Sequence, residues 1–379
     1  MVACDKFGGA LSAAEAAAAI AEGLRRARPG AEIRLCPLGD GGEGTGAILA
    51  EALNAAPRTR VVRDPLGRPV EAIWWLCEPS RTGVVEMAAA SGLWRLAPGE
   101  RDPLRATSFG TGELLKAAAE AGCRKILLAV GGSATVDGGA GCLQALGWEL
   151  LDGRGEPLAA PAGAAGLTAV HRVRPPRERM ALDLTVLCDV DNVLLGPRGA
   201  AAVFAPQKGA APRQIPMLER GLARWAEVLR AAGGREVRGL AGSGAAGGLP
   251  AALAALLDAK LVSGFDCVAR AMRLSERLAG CHLCLTGEGR LDEQTRSGKV
   301  VAGVARMAAA VGVPVVALVG AVRPPEGVGA DALAAGLGLA EVVVVTPPGL
   351  DESAALAGTR DNLRVAAESF ARRWRRLDR

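Results

Sequence analysis

Tyrosine is absent from this chain, and phenylalanine and tryptophan together make up only 3% of it. So few aromatics leave no run of stacking platforms for a nucleic-acid strand. The charge agrees, since 45 basic against 40 acidic residues leave a net charge of only +5. The one dense basic run, Arg372-Arg373-Trp374-Arg375-Arg376, suits the end of a last helix, where cations meet the helix dipole. No nucleic-acid partner is expected. Histidine is nearly missing too: His171 and His282 are the only two, and neither lies in a polar cluster, which disfavours a His-dependent hydrolase or dehydrogenase. No apolar run is long enough for a membrane span; the longest, 307–322, contains Pro314. No secretory signal is visible, because Asp5, Lys6 and Glu15 interrupt any apolar leader. The nine cysteines are irregularly spaced and odd in number, so they form no disulfide framework. Cys281-His282-Leu283-Cys284 has no second half to complete a zinc site and reads as core cysteine. A protein of the reducing cytoplasm fits these absences.

What is present is length and rhythm. At 379 residues, half of them hydrophobic, the chain is too long for one ordinary core. Ser12 with Glu15 forms the sequence of a capping box, and the helix it opens runs to Arg28 before Pro29-Gly30. A strand over 33–38, a glycine-rich loop and a helix from Thr45 continue an alternation that implies parallel pairing. From residue 60 the pattern changes to extended segments joined by turns, and the alternation returns at 281 with strands expected over 281–286, 314–319 and 341–345. We therefore expect an α/β fold: a Rossmann-like domain made of 1–60 and 281–379, with a second α/β domain, 61–280, inserted into it. Val2-Ala3-Cys4 reads as the end of a strand whose first residues precede Met1, and an upstream start is an expectation.

The chain centres on Cys188-Asp189-Val190-Asp191-Asn192, which closes the apolar run 182–187. If the strand continues that far, both carboxylates lie on one face, where they can hold Mg²⁺ or take a proton from a hydroxyl. An Asx-turn competes with that reading. Three glycine-rich stretches tilt the balance. Gly131 to Gly139 combines backbone donors at Gly131 and Gly132 with the hydroxyls of Ser133 and Thr135 and the carboxylate of Asp137, an anion cradle opening a helix. Gly39 to Gly44 and Gly242 to Gly247 both match G-x-G-x-x-G, but Asp40 and Glu43 would repel a pyrophosphate, so a nicotinamide site ranks last. Thr286-Gly287-Glu288-Gly289-Arg290 ends a buried strand and leads through Asp292, Gln294 and Thr295 to Gly298-Lys299. The P-loop pattern is absent. Anion cradles, acidic pairs and isolated cations together fit phosphoryl transfer, which needs positioning and charge neutralisation above all.

These segments resemble the bacterial glycerate kinase family. The motifs are DGGEGT (40–45), EMAAASGL (86–93), SFGTGELL (108–115), GGSATVDGG (131–139), CDVDN (188–192), GPRGAAAVFAPQKGA (196–210), GSGAAGG (242–248) and TGEGRLDEQTRSGK (286–299), in the family's order. The resemblance implies ATP-dependent phosphorylation of D-glycerate to 2-phosphoglycerate, with Mg²⁺, in a cleft between two α/β domains. It implies Asp189 and Asp191 as base and metal ligands. It further implies Lys208 or Arg290 as catalytic cations, and Gly131, Gly132, Ser133, Thr135, Asp137, Gly244, Gly287, Glu288 and Lys299 as nucleotide contacts. Lys6, Asp40, Glu43, Ser91 and Arg198 are left for the glycerate. A homodimer is carried as an expectation. The chain departs from the family's pattern at Gly8, Ala10 and Val193, where a basic residue, a hydroxyl and a proline are usual. The altered opening loop is the one feature favouring a rival reading, a non-catalytic sensor of glycerate or nucleotide.

Overall fold

The computed structural model describes residues 1–178, 180, 182–292, 299–324 and 329–374. Gln294, Thr295 and Gly298 of the expected site, and Arg375 and Arg376 of the basic run, therefore lie outside the described residues. The chain packs as two compact units, Met1–Asp40 with Phe265–Arg379, and Gly41–Gly264. These divisions fall earlier than 60 and 281. The helix Thr45–Ala52 packs on the strands Pro69–Cys77 and Thr82–Glu86, and a Cβ at Gly46 would sit 2.5 Å from Trp75, so this segment shares the second unit's core. At the other boundary Phe265 fills the space above Gly303, which ties the helix Gly264–Ala271 to the helix Val300–Ala309.

In the unit Gly41–Gly264 a six-stranded sheet runs in the order Ala56–Arg63, Pro69–Cys77, Thr82–Glu86, Lys125–Ala129, Asp183–Leu187, Lys260–Val262. The first three strands pair antiparallel and the last four parallel. Alternate residues Ile126, Leu128, Leu184 and Val186 point into one core. Leu114, Leu115, Leu222, Trp225 and Leu253, from three helices, meet them there. Each such aliphatic side chain contributes about 1.5–3 kcal/mol through burial. The edge strand Ala56–Arg63 is exposed except at Val62, which turns into the core, and Arg58, Arg60 and Arg63 pair with Glu78, Glu120 and Glu113 along it, charges that suit an edge.

In the other unit three parallel strands, Glu341–Val344, Val315–Val322 and Cys284–Leu291, lie side by side. Two extended lanes continue this sheet. Ala3 N and Asp5 N donate to Leu285 O and Gly287 O, while Cys36 N and Leu38 N donate to Val2 O and Cys4 O. The spatial order 34–38, 1–5, 284–291, 315–322, 341–344 reverses direction between the first and third lanes, a topological switch point of the open α/β type. The helix Ala13–Ala27 begins with the expected capping box, Ser12 Oγ accepting from Glu15 N and Glu15 accepting from Ser12 N. It packs through Ala16, Ile20 and Leu24 against Leu363, Ala367 and Phe370 of the last helix, Thr359–Arg373. Among the described residues no helix is long and apolar enough to cross a membrane.

Two local expectations are corrected. The strand before the acidic pair ends at Leu187, so Cys188 to Asn192 is a loop and the alternation does not reach the carboxylates. Conversely, the strand expected over 281–286 starts at Cys284 and runs on to Leu291, because it stays paired with its neighbour through Arg290 and Leu291. Gly287 permits this, since a Cβ there would lie 2.3 Å from Leu318 O.

Candidate active site

At the carboxyl ends of the parallel strands of Gly41–Gly264, four loops are held together by glycines at close approach. Gly131 N donates to Gly41 O at 3.0 Å, and a Cβ on Gly131 would stand 2.4 Å from Gly42 Cα. Gly244 N donates to Asn192 O at 2.9 Å, with Val193 O 2.1 Å from the position of a Cβ. Gly247, at φ +70°, sits where a Cβ would be 2.0 Å from Thr135 O, and its carbonyl accepts from Gly138 N. Glycine is thus required by space as well as by φ.

The loop 131–139 is fixed from beneath by two buried charges. Asp137 is fully buried and accepts from Ser108 N and Ser108 Oγ, both at 2.8 Å, and from Gly139 N and Gly141 N at 3.1 and 3.2 Å. Burial pushes its carboxyl above the usual range, against the pull of these donors. Lys208 is buried as well, and its Nζ donates to Ser133 Oγ at 2.8 Å and to Thr135 O at 2.7 Å. Burial takes its pKa down to about 7, with Asp137 pulling the other way. Two hydroxyls of these loops, Thr135 Oγ1 and Ser243 Oγ, are buried without a protein partner. Gly132, by contrast, is exposed at φ +72° and forms the open tip of the loop.

The acidic pair divides. Asp189 is half-buried and accepts from Gly264 N at 2.8 Å, joining the ends of two adjacent strands. Asp191 is exposed, and Arg198 donates to both of its oxygens at 3.0 and 3.1 Å. The turn between them is closed by Asn192 Nδ2 donating to Arg198 O. At 74% and 67% exposure the Arg198–Asp191 pair contributes at most about 1 kcal/mol, so incoming charge can displace it. Carboxylates are the hard oxygen donors Mg²⁺ prefers, and Mg²⁺ ordinarily takes one or two of them together with phosphates and water. The loop fits that demand. Among the described residues no three His, Cys, Asp or Glu side chains gather to hold a metal alone.

In the unit Met1–Asp40 with Phe265–Arg379, Asp5 ends the central lane of the sheet at the switch point. Asp5 and Glu288 fall on the face opposite Val2 and Leu285, by the pairing of Val2 with Leu285. Both are buried. Burial and then the charge of Asp40 push the Asp5 carboxyl well above the usual range, and Glu288 adds to this while Lys6 opposes it. Lys6 N also donates to Asp5 Oδ1 at 2.7 Å. Thr286 Oγ1, on the same face, is buried without a protein partner.

The structure therefore brings Gly131, Gly132, Ser133, Thr135, Asp137, Lys208 and Gly244 together in one unit, and Lys6, Asp40, Gly287 and Glu288 in the other. Glu43 lies beside Gly132, its Cβ 3.9 Å from the position of a Gly132 Cβ. Arg290 is exposed near the end of its strand, and Lys299 is the N-cap of Val300–Ala309. Three expected contacts are turned inward. Ser91 is fully buried and accepts from Thr111 Oγ1 at 2.8 Å, because the helix Met87–Ser91 sinks into the core. Asp137 and Lys208 brace the loop rather than line its surface. The sequence reading missed Asp5 and Ser108. Asp5 follows the first lane directly, the position a parallel strand reserves for chemistry, and this was its signal. Ser108 had none, since its bond to Asp137 spans 29 residues.

Glycine-walled loops at the ends of parallel strands, braced by a buried lysine and aspartate and lacking a P-loop, define the candidate site of an α/β protein. The comparisons are specific. The model of the Glycerate kinase family matches residues 1–375. Glycerate 2-kinase of Escherichia coli K12 is 40% identical over 380 aligned residues, 98% of this chain and 96% of its own. A glycerate kinase of Bacillus subtilis 168 is 43% identical over 85% of each chain. A crystal structure from Salmonella typhimurium LT2, provisionally assigned as glycerate kinase 2, superposes with a TM-score of 0.78 at 40% identity, covering 98% of this chain and 96% of that one. The chain belongs to the glycerate kinase family and is an enzyme. That leaves the sensing and nicotinamide readings without support.

Proposed function

We propose that the chain transfers the terminal phosphoryl group of ATP to D-glycerate, giving 2-phosphoglycerate and ADP. The observation that carries this reading is the gathering of 41–44, 131–139, 188–196 and 242–248 at one sheet end, within a chain related over its whole length to glycerate kinases. Phosphoryl transfer asks a protein for position and charge stabilisation. The exposed backbone of Gly132 supplies a donor to phosphate oxygens. Ser133, aimed by Lys208, adds a hydroxyl. Asp189, oriented by Gly264 N, receives the proton of the attacking glycerate hydroxyl as its oxygen bonds to the γ-phosphorus and the bond to the bridging oxygen breaks. Asp191 would hold Mg²⁺, whose charge would offset that of the phosphates, and Arg198, displaced from Asp191, would be available to the glycerate carboxylate or a phosphate. All nine cysteines are free thiols, which supports a cytoplasmic setting.

The test is ADP release with D-glycerate, ATP and Mg²⁺, with the product identified by phosphorus NMR. The expected product couples phosphorus to the single proton on C2. Coupling to two protons would assign 3-phosphoglycerate, and no turnover would overturn the proposal.

A further inference from the structure

We propose that the open face of the Trp94 indole is the platform on which the purine ring of the nucleotide stacks, beside the backbone of Gly131 to Ser133. This rests on the reading of ATP as phosphoryl donor and adds the subsite that would hold its base.

Trp94 is 58% exposed and is the one exposed aromatic among the described residues. It does no core packing, which falls to Leu96, buried two residues on. Yet the ring is not loose. Nε1 donates to Ala88 O at 3.0 Å. The Arg95 guanidinium lies 4.5 Å from the ring centroid. Arg95 is itself anchored, through Nε to Ala89 O at 2.7 Å and through an Nη to Glu71 O at 2.8 Å. One face of the indole is therefore covered by a fixed cation, and the exposure belongs to the other. Gly92 makes the arrangement possible, since a Cβ there would stand 2.8 Å from Trp94 Nε1 and 2.3 Å from Ala88 O.

The platform is tied directly to the anion loop. Leu93 N donates to Gly132 O at 2.8 Å, and Gly92 bridges Ser133. Ala88, which anchors the indole, has its Cβ 3.5 Å from where a Gly132 Cβ would be. A chain step of ~3.8 Å separates Trp94 from Leu93, so a rigid ring stands within a nucleotide's reach of the loop's exposed tip. Base stacking on an aromatic ring tolerates any base, because every base has a π-face. A single platform suits a mononucleotide, consistent with a surface too poor in rings for a strand.

The experiment measures Mg-ATP and D-glycerate binding by calorimetry to the full-length wild type, Trp94→Ala and Trp94→Phe, with tryptophan emission followed during each titration. Trp94→Ala is expected to raise the Kd for Mg-ATP roughly 5- to 100-fold and leave D-glycerate binding unchanged. Trp94→Phe is expected to restore most of the affinity while losing the emission change that ATP causes in the wild type. If Trp94→Ala binds Mg-ATP as tightly as the wild type, the platform is overturned and the kinase reading stands. If Trp94→Ala weakens both ligands alike, the indole supports the loop only, and the proposal is likewise overturned. If the wild type binds no Mg-ATP, both readings fall together.

Discussion

Lys208 Nζ donates to Ser133 Oγ at 2.8 Å across 75 residues of sequence, in a site with almost no solvent. The same amine donates to Thr135 O, so one buried cation sets both the hydroxyl and the backbone of the anion loop. The arrangement is costly by itself, because burial lowers the pKa of this lysine from 10.5 to about 7. A lysine with a flexible stem and strong hydration is a poor choice for core packing. Its place here is explained by the loop that it holds.

Replacing Lys208 with Met tests this through two readouts. Activity should fall roughly 100-fold, a loss typical of a displaced reacting group. Stability should change with pH in a defined direction. A lysine with a lowered folded pKa contributes its full stability only above the unfolded value, 10.5, and loses it as pH falls towards 7. The wild type should therefore gain on Lys208→Met by about 1 kcal/mol per pH unit between pH 7 and 10. Urea unfolding of both proteins across that range measures it, and parallel curves would show that the amine is not held as described.

Gly247→Ala should damage the fold and the site together. The new Cβ would lie 2.0 Å from Thr135 O, at a φ of +70° that side chains avoid. The conformational cost alone is roughly 1–2 kcal/mol, and the clash pushes loop 131–139 away from 242–248. We expect the melting temperature to drop by about 5 °C or more. Gly239→Ala is the control, because its Cβ would meet nothing within 4 Å. Equal melting temperatures for the two variants would refute the packing argument.

Particular residues show what could be read from the sequence. The motif 131–139 was legible as a glycine-rich loop between a strand and a helix, and Lys125–Ala129 and Ala140–Ala145 flank it. The parallel order was legible too, from apolar runs alternating with helical segments. What could not be read were pairings made only by the tertiary fold. Nothing near Lys208 marks it as buried, since its partners arrive from another loop. The acidic pair misled differently. A strand's alternation places both carboxylates on one face, but the apolar run ends at Leu187 and the loop turns Asp189 to Gly264 and Asp191 to Arg198. The capping box at Ser12 was fully legible because all its parts lie within four residues.

Asp5 should behave as an acid held in its protonated form. Burial, Asp40 and Glu288 all raise its pKa, and Lys6 alone opposes them. A carboxyl with a raised folded pKa contributes its full stability below the unfolded value near 4 and loses it as pH rises through the folded value. Asp5→Asn mimics the protonated form, so it should melt at or above the wild-type temperature at pH 8, and the advantage should vanish towards pH 4. Asp5→Ala removes the acceptor of Lys6 N and should melt lower at every pH. Thermal scans at pH 4, 6 and 8 decide the matter. A wild type more stable than Asp5→Asn at pH 8 would mean that the carboxylate is ionised and paired.

Asp189 and Asp191 should separate by mechanism, because the fold holds them differently. Asp189 is half-buried and oriented by Gly264 N, as a group must be to receive a proton along a fixed path. Asp191 is exposed and shares its charge with Arg198, which suits a ligand that trades one cation for another. In single turnover at saturating Mg²⁺, Asp189→Asn should slow phosphoryl transfer by roughly 10²–10⁴-fold, the range of a lost general base, and added metal should not recover it. Asp191→Asn should instead raise the Mg²⁺ concentration needed for half-maximal rate and recover much of the wild-type rate when that concentration is exceeded. It also frees Arg198, so glycerate affinity should hold or improve. If Asp189→Asn is rescued by metal and Asp191→Asn is not, the two roles are exchanged. If neither variant slows the reaction, the proton leaves by another group and the assignment of Asp189 as base falls.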